Sequence, residues 1–339
     1  MSTIDARAAG TVLLAAPRGF CAGVDRAVLI VEQALERFGP PVYVRRQIVH
    51  NTHVVAELGA RGAVFVEELD GVPAGSVVVL SAHGVAPAVR AEAEARELTV
   101  IDATCPLVAK VHAEALRFAR DGYTIALIGH ADHEEVEGTR GEVPESIRIV
   151  SGPADVENLD VGAAGDEGGA RLVWLSQTTL AMDEVERTAD ALRARFPRLL
   201  DPPGDDICYA SQNRQNAVKA IAARCDLLLV VGSANSSNSV RLVEVARSAG
   251  ARAAYLVDDG AGLRDEWFVL GDGAGVGGGV GAGTGVGTVG VTAGASAPEH
   301  AVQDVLKALA RRGFADVEEV ASTVETTIFE LPARLRGPK

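Results

Sequence analysis

The sequence predicts an α/β protein of three similar domains, each built on a parallel sheet. Three observations carry this reading. Cys21, Cys105 and Cys208 open three segments of like organisation. Each segment alternates amphipathic helical stretches with short apolar runs, and each run ends in a small or polar loop. Apolar strands alternating with helices indicate parallel sheets covered on both faces. The chain of 339 residues also suits two or three domains better than one, since domains cluster around ~100–150 residues.

In the first segment, Cys21 lies in R-G-F-C-A-G-V-D-R. Val24, Ala27, Val28, Val31, Leu35 and Phe38 then recur at helical spacing, which predicts a helix over 24–38. A strand follows that reaches Ile48-Val49-His50, then a helix around 52–60, then a strand over 77–80 before Ser81-Ala82-His83-Gly84. The second segment places Cys105 in D-A-T-C-P-L-V-A-K. A helix over 107–120, a strand over 124–128 ending at Gly129-His130, a helix around 134–141 and a strand over 172–175 before Ser176-Gln177-Thr178-Thr179 follow. The third places Cys208 in D-D-I-C-Y-A-S-Q-N-R. It continues with a helix over 214–224, a strand over 227–231 before Gly232-Ser233, a helix over 238–249 and a strand over 289–291 before Thr292-Ala293-Gly294-Ala295-Ser296.

The domains are therefore read as 21–104, 105–206, and 11–20 together with 207–300, with 301–339 as a C-terminal helix and tail. Residues 271–289 are dominated by glycine and are read as a flexible insertion, as is a smaller stretch near 161–170. Ligands of open parallel sheets bind beyond the carboxyl ends of the strands, where all these polar loops fall. About a pseudo-threefold axis, one cysteine and two loops from each domain would converge on one central cavity.

Composition narrows the function. Hydrophobic residues make up 47% and charged residues 23%, enough for a globular core. Acidic residues outnumber basic ones by 46 to 32 and no basic block occurs, which argues against a nucleic-acid partner. No apolar run approaches the ~20 residues of a membrane span. Residues 1–10 lack the apolar core of a secretory signal, so the cytoplasm is the expected compartment. Four cysteines are too few for a disulfide scaffold.

Three of those cysteines sit at or just before a predicted helix start, where free N–H groups and the helix dipole favour a thiolate. They could be buried small hydrophobes, zinc ligands with one open position, or ligands of a 4Fe–4S cluster with one iron lacking a cysteine. The cluster is favoured, because a single zinc gives less reason for a threefold architecture. Cys225 abuts an apolar strand, has no counterpart and is read as structural.

The loops add His50, His83 and His133 on equivalent strand ends. Ser236, Ser237 and Asn238 stand at a helix start and, with Ser296 and the histidines, form a candidate phosphate cradle. There is no G-x-x-x-x-G-K-[ST] motif, which disfavours a nucleotide triphosphatase. A carboxyl group close to a cluster and a phosphate would be a proton donor near neutrality, and Glu135 or Glu134 could serve. A zinc-dependent phosphohydrolase on the same cysteines is one alternative. A non-catalytic iron–sulfur sensor or carrier is another, although it would not need the cradle.

The strings P-R-G-F-C-A-G-V-D-R-A, I-V-H-N, S-A-H-G-V, D-A-T-C-P-L-V-x-K-V-H, G-H-x-x-H-x-E-V-E-G-T, S-Q-T-T-L, D-D-I-C-Y-A-x-x-N-R-Q, V-V-G-S-x-N-S-S-N-S and G-V-T-A-G-A-S-A-P occur in order. On these the chain resembles the 4-hydroxy-3-methylbut-2-enyl diphosphate reductases, which end the methylerythritol phosphate route to isoprenoids. The resemblance implies a trefoil of three α/β domains around a 4Fe–4S cluster held by Cys21, Cys105 and Cys208. It implies substrate-binding roles for His50, His83, His133 and Thr178, diphosphate-binding roles for Ser236, Ser237, Asn238 and Ser296, and Glu135 as the catalytic acid. Glu134 is taken to point away. The implied reaction is a reductive dehydration that yields isopentenyl and dimethylallyl diphosphates. The implied electron donor is a ferredoxin or flavodoxin, and the implied state is a monomer.

Overall fold

The apolar runs become strands and the amphipathic stretches become helices in the computed structural model, which describes residues 10–161, 171–269 and 285–336. The insertion stretches 162–170 and 271–284 lie outside the described residues. In chain order the elements are β1 (Thr11–Ala16), α1 (Ala22–Phe38), β2 (Val42–Arg45), α2 (Thr52–Ala60), β3 (Ala63–Val66), β4 (Val77–Leu80), α3 (Pro87–Ala95) and β5 (Thr99–Asp102). Next come α4 (Pro106–Arg120), β6 (Thr124–Ile128), α5 (Glu134–Glu142), β7 (Ile147–Val150), the short α6 (Pro153–Val156), β8 (Leu172–Ser176) and α7 (Met182–Arg195). The chain ends with α8 (Tyr209–Ala222), β9 (Leu227–Val231), α9 (Ser237–Ser248), β10 (Ala253–Val257), β11 (Thr288–Ala293), α10 (Glu299–Ala310) and β12 (Asp316–Ala321).

Two compact units contain these elements. One comprises Cys21–Gln212 and Thr327–Lys339, the other Met1–Phe20 and Asn213–Thr326. The first holds two sheets, ordered β3-β2-β4-β5 and β7-β6-β8. The second holds one sheet, ordered β10-β9-β11-β1-β12. Every pairing between these strands is parallel. The α/β class with three parallel sheets is thus the observed one. Strand β8, at an edge of its sheet, and β9, inside its sheet, are buried at every residue, as sheets covered on both faces require.

Helix starts follow local chemistry. Asn51 caps α2, its Oδ1 accepting from His53 N–H at 3.1 Å and Val54 N–H at 3.2 Å. Proline opens α3 and α4, where its missing N–H costs nothing. Ser236 caps α9 by accepting from Ser239 N–H. In the smaller unit, Arg214 is fully buried, and its guanidinium donates to Gly19 O and Phe20 O while pairing with Glu325 at 3.0 Å. It fixes the turn that follows β1.

Several boundaries differ from the sequence reading; α8, for one, begins at Tyr209 where the periodicity started the helix at 214. The first strand stops at Arg45 instead of reaching His50. Arg46 takes a left-handed backbone (φ 53°), which breaks the ladder. Ile48 and Val49 are nevertheless buried as core residues in the loop that follows, which is why their apolarity read as strand. The end of the stretch read as insertion, Thr288 and Val289, belongs to β11.

In the larger unit, α5 lies directly on the loop that carries His83. A Cβ at Gly138 would sit 3.2 Å from the Gly84 carbonyl carbon, and one at Gly141 would overlap the Ala86 Cβ. Glycine at these two helical positions permits the contact. We expect Gly141→Ala to destabilise the protein by about 1–3 kcal/mol, and Ala86→Gly to recover part of that loss. Urea unfolding of the two single variants and the double variant checks this; additive costs would show that the two residues do not meet.

Candidate active site

Cys21 and Cys105 occupy the cap positions of α1 and α4, and Cys208 immediately precedes α8. The fold brings their thiols together. A Cβ built on Gly23 would lie 2.8 Å from Cys105 Sγ and 3.7 Å from Cys21 Sγ, and all three sulfurs interact electrostatically with one another. Backbone bonds set the other two loops: Cys105 N–H donates to Ala82 O at 2.9 Å and Cys208 N–H to Thr178 O at 3.1 Å. Arg26 donates to Ala103 O and Thr104 O, which steadies the approach to Cys105.

The thiols are not activated as the helix-start argument expects. Burial pushes Cys105 up to about 12, with Cys21 and Cys208 adding to the rise against the N–H groups of Leu107 and Val108. Burial likewise pushes Cys208 up to about 11, reinforced by Cys21, against hydrogen bonds from Ser211. Desolvation outweighs the helix terminus here. Three crowded thiols, of which Cys105 and Cys208 resist ionisation by themselves, fit a group whose own positive charge makes thiolates of them. Cys225 lies elsewhere, buried, with its thiol donating to Ile221 O.

The three histidines also converge. His50 follows the loop after β2, His83 sits in the turn after β4, and His133 caps α5, its Nδ1 accepting from Glu135 N–H. The rings of His50 and His83 stack, with centroids 3.9 Å apart and planes at 15°. His133 stands edge-on to both, at 5.5 and 5.9 Å. Burial, with mutual repulsion in the case of His50 and His133, pulls the three down to about 3, 4 and 3 in chain order. All three are therefore neutral imidazoles at pH 7.

Glu135 is buried and turned toward Thr178. Its Oε1 accepts from Thr178 N–H at 2.7 Å and its Oε2 meets the Thr178 hydroxyl at 3.1 Å. Burial pushes this carboxyl up to about 7, against the Thr178 hydrogen bonds that pull it down. Glu134 does not point away as the sequence reading assumed. Its Oε2 lies 3.4 Å from His83 Nδ1. Successive helical residues diverge by roughly 100°, so one faces Thr178 and the other the imidazoles.

Ser236, Ser237, Asn238 and Ser296 belong to the other unit. They gather at the carboxyl ends of the neighbouring strands β9 and β11. The Ser296 hydroxyl is 3.4 Å from Ser236 Oγ, and Asn238 Oδ1 accepts from Ala295 N–H at 2.9 Å. Ser236, Asn238 and Ser296 are buried, and their hydroxyl and amide groups stand together at these strand ends.

Sequence reasoning passed over Asp206 and Arg46. Asp206 is buried two residues before Cys208. It accepts from Ser176 N–H and pairs with Lys110 Nζ at 3.2 Å, which ties the cysteine loop to β8 and α4. Its acid in D-D-I-C was the available signal. Arg46 joins Glu137 of α5 and Glu68, a long-range clamp that no local pattern announces.

Clustered, partly buried thiols, stacked imidazoles and a buried, proton-holding carboxyl gather on the loops of parallel sheets in an α/β fold. The family model described as "LytB protein" matches residues 12–310, and the chain belongs to that family. The 4-hydroxy-3-methylbut-2-enyl diphosphate reductase of Acidothermus cellulolyticus is 60% identical over 96% of this chain and 90% of its own length. That of Leifsonia xyli is 56% identical over 99% and 94%. Among solved structures, the E-1-hydroxy-2-methyl-but-2-enyl-4-diphosphate reductase from Plasmodium falciparum superposes with a TM-score of 0.88 at 35% identity, covering 97% of each chain. A second reductase, titled the terminal enzyme of the non-mevalonate pathway, gives 0.60 at 28% identity over 89% of this chain and 99% of its own. The resemblance read from the motifs therefore holds, and none of these relatives is named a hydrolase or an electron carrier.

The Glu135 environment has a pH signature. Its pKa rises on folding from an ordinary 4.5 to about 7, so the folded state prefers the protonated acid. That contribution is complete below about pH 4.5 and is lost as pH rises through about 7. Glutamine mimics the protonated acid toward both Thr178 groups. We expect Glu135→Gln to match wild type in urea midpoint below pH 4.5 and to exceed it above pH 8, by up to about 3 kcal/mol. A difference independent of pH would refute the raised pKa.

Proposed function

We infer that this chain reduces (E)-4-hydroxy-3-methylbut-2-enyl diphosphate to isopentenyl diphosphate and dimethylallyl diphosphate, the final step of the methylerythritol phosphate pathway. The reaction consumes two electrons and two protons and releases one water. The reading rests on the near-full-length kinship with the reductases. The observation that carries the assignment of residues is the convergence of Cys21, Cys105 and Cys208 beside a buried carboxyl held near neutrality, since Glu135 also raises the Cys208 pKa by its charge.

Cys21, Cys105 and Cys208 would hold a 4Fe–4S cluster, which leaves one iron without a protein sulfur. When bound, such a cluster supplies single electrons and a Lewis-acidic metal position. The protein's own part is binding and proton handling. Ser236, Ser237, Asn238 and Ser296 receive diphosphate oxygens through hydroxyl and amide hydrogen bonds. His50, His83 and His133, in the larger unit, offer ring N–H donors for an anionic substrate. Glu135 stores a proton at physiological pH because burial raises its pKa, and the Thr178 hydroxyl on Oε2 is the way out for it. Loss of the allylic hydroxyl as water needs that proton. Protonation of the allylic fragment at one end or the other then gives the two isomeric products.

No helix of the described residues is long and apolar enough to cross a membrane. The reading places the enzyme in the cytoplasm as a single chain. Its electrons come from a ferredoxin- or flavodoxin-type protein.

The test is anaerobic. Purified protein should be brown, hold about four irons per chain and form both five-carbon diphosphates under a strong reductant. Glu135→Gln should keep its iron and lose turnover by about 10²–10⁴-fold. Cys21→Ser, Cys105→Ser and Cys208→Ser should each lose iron and activity together. Full iron content in all three serine variants would overturn the ligand assignment, and full turnover in Glu135→Gln would overturn the acid.

A further inference from the structure

Glu134 gives the histidine cluster a donor set unlike that of a plain anion site. We propose that His50, His83 and Glu134 form a binding site for a first-row divalent cation of the zinc class, separate from the three thiols. One ligand atom from each residue lies within 4.8 Å of the others. Zinc bound to imidazole nitrogen and carboxylate oxygen at about 2.0–2.2 Å keeps tetrahedral donors roughly 3.4 Å apart. The His83 Nδ1–Glu134 Oε2 separation already equals 3.4 Å. His50, stacked on His83 with planes at 15°, has to turn out of that stack for its in-plane lone pair to meet the same cation. Two imidazoles and a carboxylate with an open fourth position form a recurrent zinc arrangement.

Other features of the cluster agree. His83 Nδ1 is buried without a hydrogen-bond partner, because Glu134 stands at ion-pair distance but outside hydrogen-bond geometry. The low pKa values of His50 and His83 keep the lone pairs available at neutral pH without proton release. The nearby cation, Arg46, does not oppose a metal with an unmatched charge. Its guanidinium is already taken by Glu137 and Glu68. None of the three residues is fully buried, although the His83 Nδ1 atom is.

The consequence for catalysis rests on the function inferred above. If the diphosphate takes hydrogen bonds from His50 and His83, a cation on those rings excludes it, and excess zinc inhibits the enzyme at its substrate end.

The experiment uses cluster-loaded protein under anaerobic conditions, with free zinc fixed by a chelator buffer. Bound zinc and iron are counted together after equilibrium dialysis. One zinc per chain should bind with the iron content unchanged. Glu134→Gln and His50→Asn should each weaken zinc by at least about tenfold while retaining iron, which reports intact folding. Equal zinc affinity in both variants, or zinc uptake matched by iron loss, would overturn the site, the latter because the cysteines would then be the ligands. Added substrate should raise the apparent zinc dissociation constant. Zinc binding that depends on Glu134 but ignores substrate supports the cation site and instead counts against placing the diphosphate on these histidines.

Discussion

Three clustered thiols, two of them in a space that penalises their ionisation, are the constraint around which the larger unit is organised. Burial and mutual repulsion hold Cys105 and Cys208 far above an ordinary thiol pKa. Charge on sulfur becomes favourable only when a positive centre arrives with it. The same loops that present the thiols also present the groups inferred to handle substrate. Cys105 N–H is bonded to the residue before His83, and Cys208 N–H to Thr178 itself. Single backbone hydrogen bonds therefore tie the thiol positions to the loops that carry His83 and Thr178.

The helix α5 distributes the rest of the chemistry. Its first turn carries three carboxylates that face three different partners. Glu134 reaches the imidazoles, Glu135 reaches Thr178, and Glu137 reaches Arg46. One is half-buried and ionic, one is buried and near-neutral, and one is engaged in a surface clamp. Environment, not residue type, assigns the roles. The glycines at 138 and 141 let this helix lie against the turn at Gly84 to Ala86, without which His83 and Glu134 would not meet.

Much of this was legible in the sequence. Strands β4, β6 and β9 were placed correctly because they are short, apolar and bounded by small residues. The cysteines announced themselves by opening three comparable helices. Other features depend on tertiary context. The end of β2 was read too far along because Ile48 and Val49 are apolar for the sake of the core, not of a ladder. Strand β12 went unseen because its residues, D-V-E-E-V-A, are mostly exposed and acidic. Helical spacing predicts the angle between Glu134 and Glu135, but not which neighbour waits on each side. The rise in thiol pKa was also out of reach, since a helix start is visible in sequence and burial of a sulfur is not.

That inconspicuous β12 has a consequence for how the molecule behaves in a crowd. It forms one edge of the five-stranded sheet and pairs only with β1 among the described strands. An open edge is a template on which a neighbouring chain could add its own strand. Here the edge carries Asp316, Glu318 and Glu319, with Glu318 and Glu319 held by Arg224 and Arg18. An approaching strand would have to bury or displace these ion pairs. The strand thus acts as a gatekeeper against sheet-to-sheet polymerisation, and its protection is electrostatic. Acidification that neutralises the carboxylates, or salt that screens them, removes that barrier and leaves this edge the natural starting point for self-association.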